Sequence, residues 1–178
     1  MQPWKKKKSL MRPVKFVTRF EPIEREVIGD LTATVSEAII QRAQSAPKDE
    51  LAEMMGMAAG HKHAPEDPSL ARLFPDFEKP GDEEFEGDNS LLRSLHEQDI
   101  ARAKLANLQV LGTALGPTGG VEVSLDEQEA QAVIAALNDV RLYIAAAETL
   151  HEGLMADKDA VLEWLAFAQD SLLQALVD

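Results

Sequence analysis

The apolar pattern of this chain changes period at Pro22, and that change limits what it can fold into. From Val14 to Phe20 the residues alternate: Val14, Phe16, Thr18 and Phe20 on one side, Lys15, Val17 and Arg19 on the other. Period two with β-branched and aromatic side chains is a strand signature. Beyond Pro22, Ile23, Val27, Leu31, Val35, Ala38 and Ile39 recur at helical spacing, with Glu21 and Glu24 where the helix dipole favours acids. Helical spacing dominates from there to the end. The expected fold is mainly α: a five- to six-helix bundle with a small N-terminal β-hairpin packed on it. The hairpin needs the helices, because a lone two-stranded ribbon is marginal in water.

Punctuation residues place the remaining elements. Pro47 stops the first helix near Ser45 and opens a second, which carries Met54, Met55 and Met57 and runs to about Gly60. Residues 68–74 form a short helix stopped by Pro75. Residues 75–89 hold Asp76, Glu78, Asp82, Glu83, Glu84, Glu86 and Asp88 against Lys79 alone, which reads as an acidic, mobile loop. A helix from Ser90 to Leu115, with Leu91, Leu95, Ala101, Leu105, Leu108 and Leu115 on its apolar face, ends at Gly116-Pro117. Val121 to Val123 makes a short strand. The spacing of Ser124 and Glu127 is that of a capping box, and it opens a helix with the stripe Val133, Leu137, Val140, Ile144 and Ala147. Asp157 or Asp159 caps the last helix, whose stripe Val161, Leu165, Ala168, Leu172 and Leu176 is widened by Leu162, Trp164, Phe167 and Leu173. A helix apolar over so much of its surface is central in a bundle or part of a subunit interface, so Trp164 and Phe167 are core or interface residues and a homodimer is expected. The chain divides into a basic arm or hairpin, residues 1–20, and a single helical domain, residues 21–178.

Charge divides in the same place. The first 20 residues carry seven basic side chains and no acid, while the other 158 hold 11 basic and 31 acidic ones, net −20. So acidic a body repels phosphates, and any nucleic-acid contact has to run through the arm. Trp4, Lys5, Lys6, Lys7, Lys8 and Arg12 are the candidate partner-binding residues, the tryptophan as an aromatic anchor. The bland alternative is an arm that is solvated or salt-bridged to its own acidic body. Pro13, Lys15 and Arg19 interrupt every candidate signal-peptide core, and no stretch reaches the ~20 apolar residues of a membrane span. A cytoplasmic protein without membrane contact is the expectation.

Catalytic chemistry is hard to assemble from these residues. There are zero cysteines, which removes thiol nucleophiles and thiolate metal sites. His61 and His63 flank the cation Lys62, an arrangement that opposes metal binding. His96-Glu97 and His151-Glu152 lack the second histidine four residues on that a zinc protease needs, since Ile100 and Met155 stand there. The glycine-rich segment 116–120 lacks the Lys-Ser/Thr of a phosphate loop. No catalytic residue, metal ligand or cofactor is therefore assigned, and the chain is read as a non-enzyme. Asn138, Asp139 and Arg141 flank an apolar stripe, so they are expected to act as a structural polar anchor to another helix.

Several segments in order resemble a known family: Glu24-Arg25-Glu26, residues 67–75 (DPSLARLFP), residues 137–142 (LNDVRL) and residues 162–172 (LEWLAFAQDSL). The family is an actinobacterial one catalogued as a domain of unknown function, number 2017, which includes an oxidative-stress regulator. The opening Trp4-Lys5-Lys6 is similar to its corynebacterial-type members. The resemblance implies a cytoplasmic, mostly helical protein without enzymatic activity. In the regulator branch it implies an accessory role in transcription through contact with an alternative sigma factor of RNA polymerase. That branch senses oxidant through a Cys-x-x-x-Cys pair, which this chain lacks entirely. Two readings from other classes stand beside the regulator: a small-molecule or metal-dependent enzyme with its site between the C-terminal helices, and nucleic-acid binding through the basic arm.

Overall fold

A computed structural model describes residues 1–9, 12–47, 54–55, 60–78, 85–149 and 157–178. Three strands, β1 (Lys5–Ser9), β2 (Arg12–Phe20) and β3 (Val121–Leu125), form an antiparallel sheet in the order β1-β2-β3. Lys5 lies opposite Val17, Phe16 opposite Leu125 and Phe20 opposite Val121. Five described helices follow the sheet's first two strands: α1 (Pro22–Gln44), α2 (Pro68–Leu73), α3 (Phe85–Leu115), α4 (Glu127–Ala146) and α5 (Lys158–Val177). The fold is mainly helical, and the expected hairpin is completed by β3 into a three-stranded sheet. The predicted methionine helix lies almost wholly outside the described residues, as does Met57.

One apolar core joins sheet and helices. Trp4, Phe16, Phe20, Val123 and Leu125 from the strands meet Ile28, Val35, Leu108, Leu137, Val140, Leu165 and Leu172 from the helices. All five residues of the predicted α4 stripe are buried. In α1 the buried face centres on Ile28, Leu31, Val35 and Ile39, leaving Ile23 exposed. At the start of α1, Glu21 and Glu24 satisfy each other's backbone N–H groups.

Several boundaries differ from expectation. The capping box of α4 is built by Asp126 and Glu129, not by Ser124 and Glu127. Leu125 turns into the core opposite Phe16, so the strand continues through Ser124 and the helix starts later. Helix α3 begins at Phe85, inside the predicted loop 75–89, whose residues 79–84 lie outside the described set. Acidic residues suit the positive end of a helix, so Asp88 favours an early start. Leu91 and Leu95, placed on the apolar face of α3, are exposed, and Arg93 and Glu97 are buried instead. Gly116 and Gly119 adopt positive φ (65° and 76°), the turn that lets α3 lead into β3. Helix α5 is also long and apolar enough to cross a membrane, by length and composition. Leu165, Ala168, Leu172 and Ala175 pack into the core, while Phe167, Leu173 and Val177 on the same helix are exposed.

Candidate functional site

The basic strand folds onto its own protein. Trp4 is only 5% exposed and stacks edge-on against Phe20 (6.4 Å between centroids), which stacks edge-on against Trp164 (6.5 Å). The Trp4 backbone N–H donates to Ser171 Oγ at 2.8 Å. Trp4 is therefore a core residue, which corrects its reading as a surface anchor: the alternation that buries Phe16 and Phe20 also places an aromatic ring beneath the sheet. Lys6 Nζ and Lys8 Nζ donate to the carbonyls of Leu176 and Asp178, where the negative end of α5 attracts cations. Lys6 also lies over the Phe16 ring, and Lys7 sits 3.6 Å from Glu122. Lys5 is exposed; Arg12 pairs with Ser9 through its backbone, and its side chain is outside the described set.

The three-residue polar anchor resolves into two working members. Asp139 is buried and accepts from Lys104 Nζ on α3 at 2.7 Å. Arg141 donates to Gln169 on α5, and the Gln169 amide donates to the Ile134 carbonyl at 3.3 Å. Both side chains therefore tie α4 to a neighbouring helix. Asn138 is exposed, which corrects its place in the anchor: one residue away from Asp139 it is turned about 100° around the helix.

Sequence reasoning missed a buried charge cluster on α3. Arg93 is fully buried on α3 and donates to Glu97 Oε2 (2.9 Å), Asp76 Oδ1 (2.8 Å) and the carbonyls of Phe74 (3.1 Å) and Pro75 (3.3 Å). Arg42, at the end of α1, donates to Glu97 Oε1 at 2.8 Å and to the His63 carbonyl at 2.6 Å. Two guanidinium groups and two carboxylates thus balance one another and lock α1, the segment around His63, the end of α2 and α3 together. A cavity of about 270 Å³ adjoins the cluster, lined by Phe77, Ile100 and Lys104 among others. The available signal was the i,i+4 spacing of Arg93 and Glu97, which usually marks a solvated surface pair. Both terminal nitrogens of Arg93 are paired, only its Nε being without a partner, so the cluster is a clamp.

The other singled-out residues fall elsewhere. His61 Nε2 lies 2.8 Å from the Arg42 carbonyl and 3.3 Å from Ser45 Oγ, at the end of α1, and His63 is exposed. Among the described residues no group of three or more metal-ligating side chains converges. His151 lies outside the described residues. Helices α4 and α5 are in contact, and Val133, Leu137 and Val140 of α4 share one buried core with Leu165, Ala168 and Leu172 of α5. Burial pushes the Tyr143 phenol above its usual range, with the Asp67 carboxylate adding to the shift. Trp164 is half-buried and lines a cavity of about 290 Å³ with Ile23, Val27 and Val161, while Phe167 is 46% exposed.

Fold and site together define a mainly helical domain with an appended antiparallel sheet, its buried charges paired among themselves. The chain belongs to the family described as a domain of unknown function (DUF2017), which matches residues 1–176. It is 38% identical to the oxidative stress regulator AosR of Mycobacterium tuberculosis (strain H37Rv) over 149 residues, covering 78% of this chain and 67% of that protein. The same figures hold for the AosR of Mycobacterium bovis. A Mycobacterium leprae relative carrying the AosR name is 33% identical across 99% of this chain and 89% of its own length. No solved structure matches the chain significantly.

Proposed function

We propose that this chain is a non-enzymatic, cytoplasmic accessory regulator of transcription in oxidative stress, acting by contact with a protein partner such as an RNA polymerase sigma factor. The observation that carries the reading is its identity of 38% and 33% to proteins named as oxidative stress regulators. The self-neutralised Arg93 cluster supports it, because carboxylates already paired with guanidinium groups are poorly placed for acid–base work. With zero cysteines, the stress signal reaches this chain by a route other than its own thiols. Phe167, Leu173 and Val177, all exposed on α5, suit a homodimer. The engagement of Lys6 and Lys8 by the carbonyls at the end of α5 favours protein contact over nucleic-acid binding through the arm. Crosslinking in the native host, with and without oxidant, followed by identification of what is attached, tests the reading. RNA polymerase or a sigma factor should be recovered; recovery of no transcription component overturns it.

A further inference from the structure

The two outer strands of the sheet are managed differently. β1 is blunted in the usual way, by four consecutive lysines, and its side chains are tied to the end of α5. β3 has no such protection. It pairs with β2, and among the described residues no backbone hydrogen bond runs from it to any other element. An outer strand presents N–H and C=O groups from alternate residues on its unpaired side, a ready template for another strand. Val123 and Leu125 turn into the core, while Glu122 and Ser124 are exposed.

Helix α3 runs beside β3 but does not fill the space between them. Its residues there are Ala106, Gln109, Val110, Thr113 and Ala114, of which Gln109 alone is long. What remains is a groove of about 530 Å³ between helix and strand, with Glu122 and Glu129 in its lining. A neighbouring strand lies about 4.8 Å away, so a strand with modest side chains suits such a gap.

We propose that this groove is a docking site for an extended, basic segment of a partner protein, which adds to β3 as a fourth strand. The proposal rests on the functional reading for the partner being a protein. Glu122 and Glu129, on a body of net charge −20 beyond residue 20, select lysine or arginine at alternate positions of the incoming strand. Lys7, 3.6 Å from Glu122, and Lys15, 3.9 Å from Glu129, offset that field only weakly, because all four groups are solvated. The same charge argues against a second copy of this chain: each copy carries −13, and pairing two β3 edges sets acid near acid. Main-chain hydrogen bonds supply the affinity and the acidic lining supplies the choice.

The test uses the full chain and a short alternating lysine–valine peptide. The controls are the same peptide with glutamate for lysine, and two N-methylated at alternate residues, one in each register. Amide NMR shifts on adding the lysine peptide should fall on Val121–Leu125 and on α3 between Ala106 and Ala114. N-methylation on the strand-facing side or the glutamate exchange should weaken binding by about tenfold or more, the size expected for losing backbone bonds or reversing charge. Glu122→Lys should weaken the lysine peptide similarly, and Ala106→Trp, which fills the groove from an exposed position, should abolish binding, both with unchanged melting temperature. Should Ala106→Trp fail to fold, Glu122→Lys carries the decision. Equal binding of the glutamate peptide, indifference to N-methylation of either register, or shifts elsewhere overturn the proposal. So do β3 shifts that depend on protein concentration alone, which would make the occupant a second copy. If Ala106→Trp leaves capture of transcription components intact, the groove is wrong and the functional reading stands. If the peptide binds β3 but no such component is ever captured, the functional reading is what fails.

Discussion

Replacing Glu97 with alanine should be among the most damaging single changes in this protein. The carboxylate is 5% exposed and accepts from Arg42 Nε at 2.8 Å and from Arg93 Nη1 at 2.9 Å. Its loss leaves two cations facing each other, and they do not have equal escape. Arg42 is 13% exposed and keeps the His63 carbonyl, so it can turn toward water. Arg93 is wholly buried and keeps Asp76, whose side chain is 38% exposed and partly screened. Removing one partner of a buried pair costs about 3–5 kcal/mol, and the freedom of Arg42 puts this case near 3. For a chain of this length that lowers the melting temperature by roughly 6–12 °C. Urea unfolding should show the same loss as a lower midpoint with an unchanged slope. Asp76→Asn is the internal control: it is more exposed and still offers an acceptor, so it should cost about 1 kcal/mol or less. A loss below about 1 kcal/mol for Glu97→Ala, or equal losses for the two variants, would show that the cluster is not the clamp described here.

Two further predictions use other parts of the molecule. Tyr143 is the single tyrosine, so its ionisation can be followed by phenolate absorbance without interference. Its midpoint should lie above 10.0, and Tyr143 should make stability fall as pH rises past 10.0, because the unfolded chain releases that proton first; Tyr143→Phe should remove this part of the alkaline loss. A midpoint at or below 10.0 contradicts the burial argument. Gly29 lies in α1 with nothing within 4 Å of an added Cβ, so Gly29→Ala should stabilise by about 0.5–1 kcal/mol. At Gly60 an added Cβ would come within 2.4 Å of the Ser94 carbonyl oxygen, so Gly60→Ala should destabilise; thermal unfolding of the pair should give shifts of opposite sign.

Much of the scaffold was legible before any coordinates. Alternation from Val14 to Phe20 marked β2, and the stripe from Val133 to Ala147 marked the buried side of α4. Both signals work because one side chain in two, or in three to four, must leave water wherever an element lies on a core. The candidate site was far less legible. Trp4 sits in a run of lysines that looks solvated, and only the pairing of β1 with β2 turns its ring beneath the sheet. Ser124 and Glu127 satisfy the spacing of a capping box, yet the core's demand for Leu125 moved the box to Asp126 and Glu129.

The amino-acid order by itself determined the types of β2, α1, α4 and α5, the charge division and the absence of thiol chemistry, since all three follow from local spacing or from composition. Tertiary structure alone decided that Arg93 and Glu97 are buried, that the lysine strand lies against the end of α5, and that β3 has one unpaired side. The reason is that burial of a charge and exposure of a strand edge depend on which distant segment arrives as neighbour. Arg93 meets Asp76 across 17 positions and Arg42 meets Glu97 across 55, separations over which no periodicity reports.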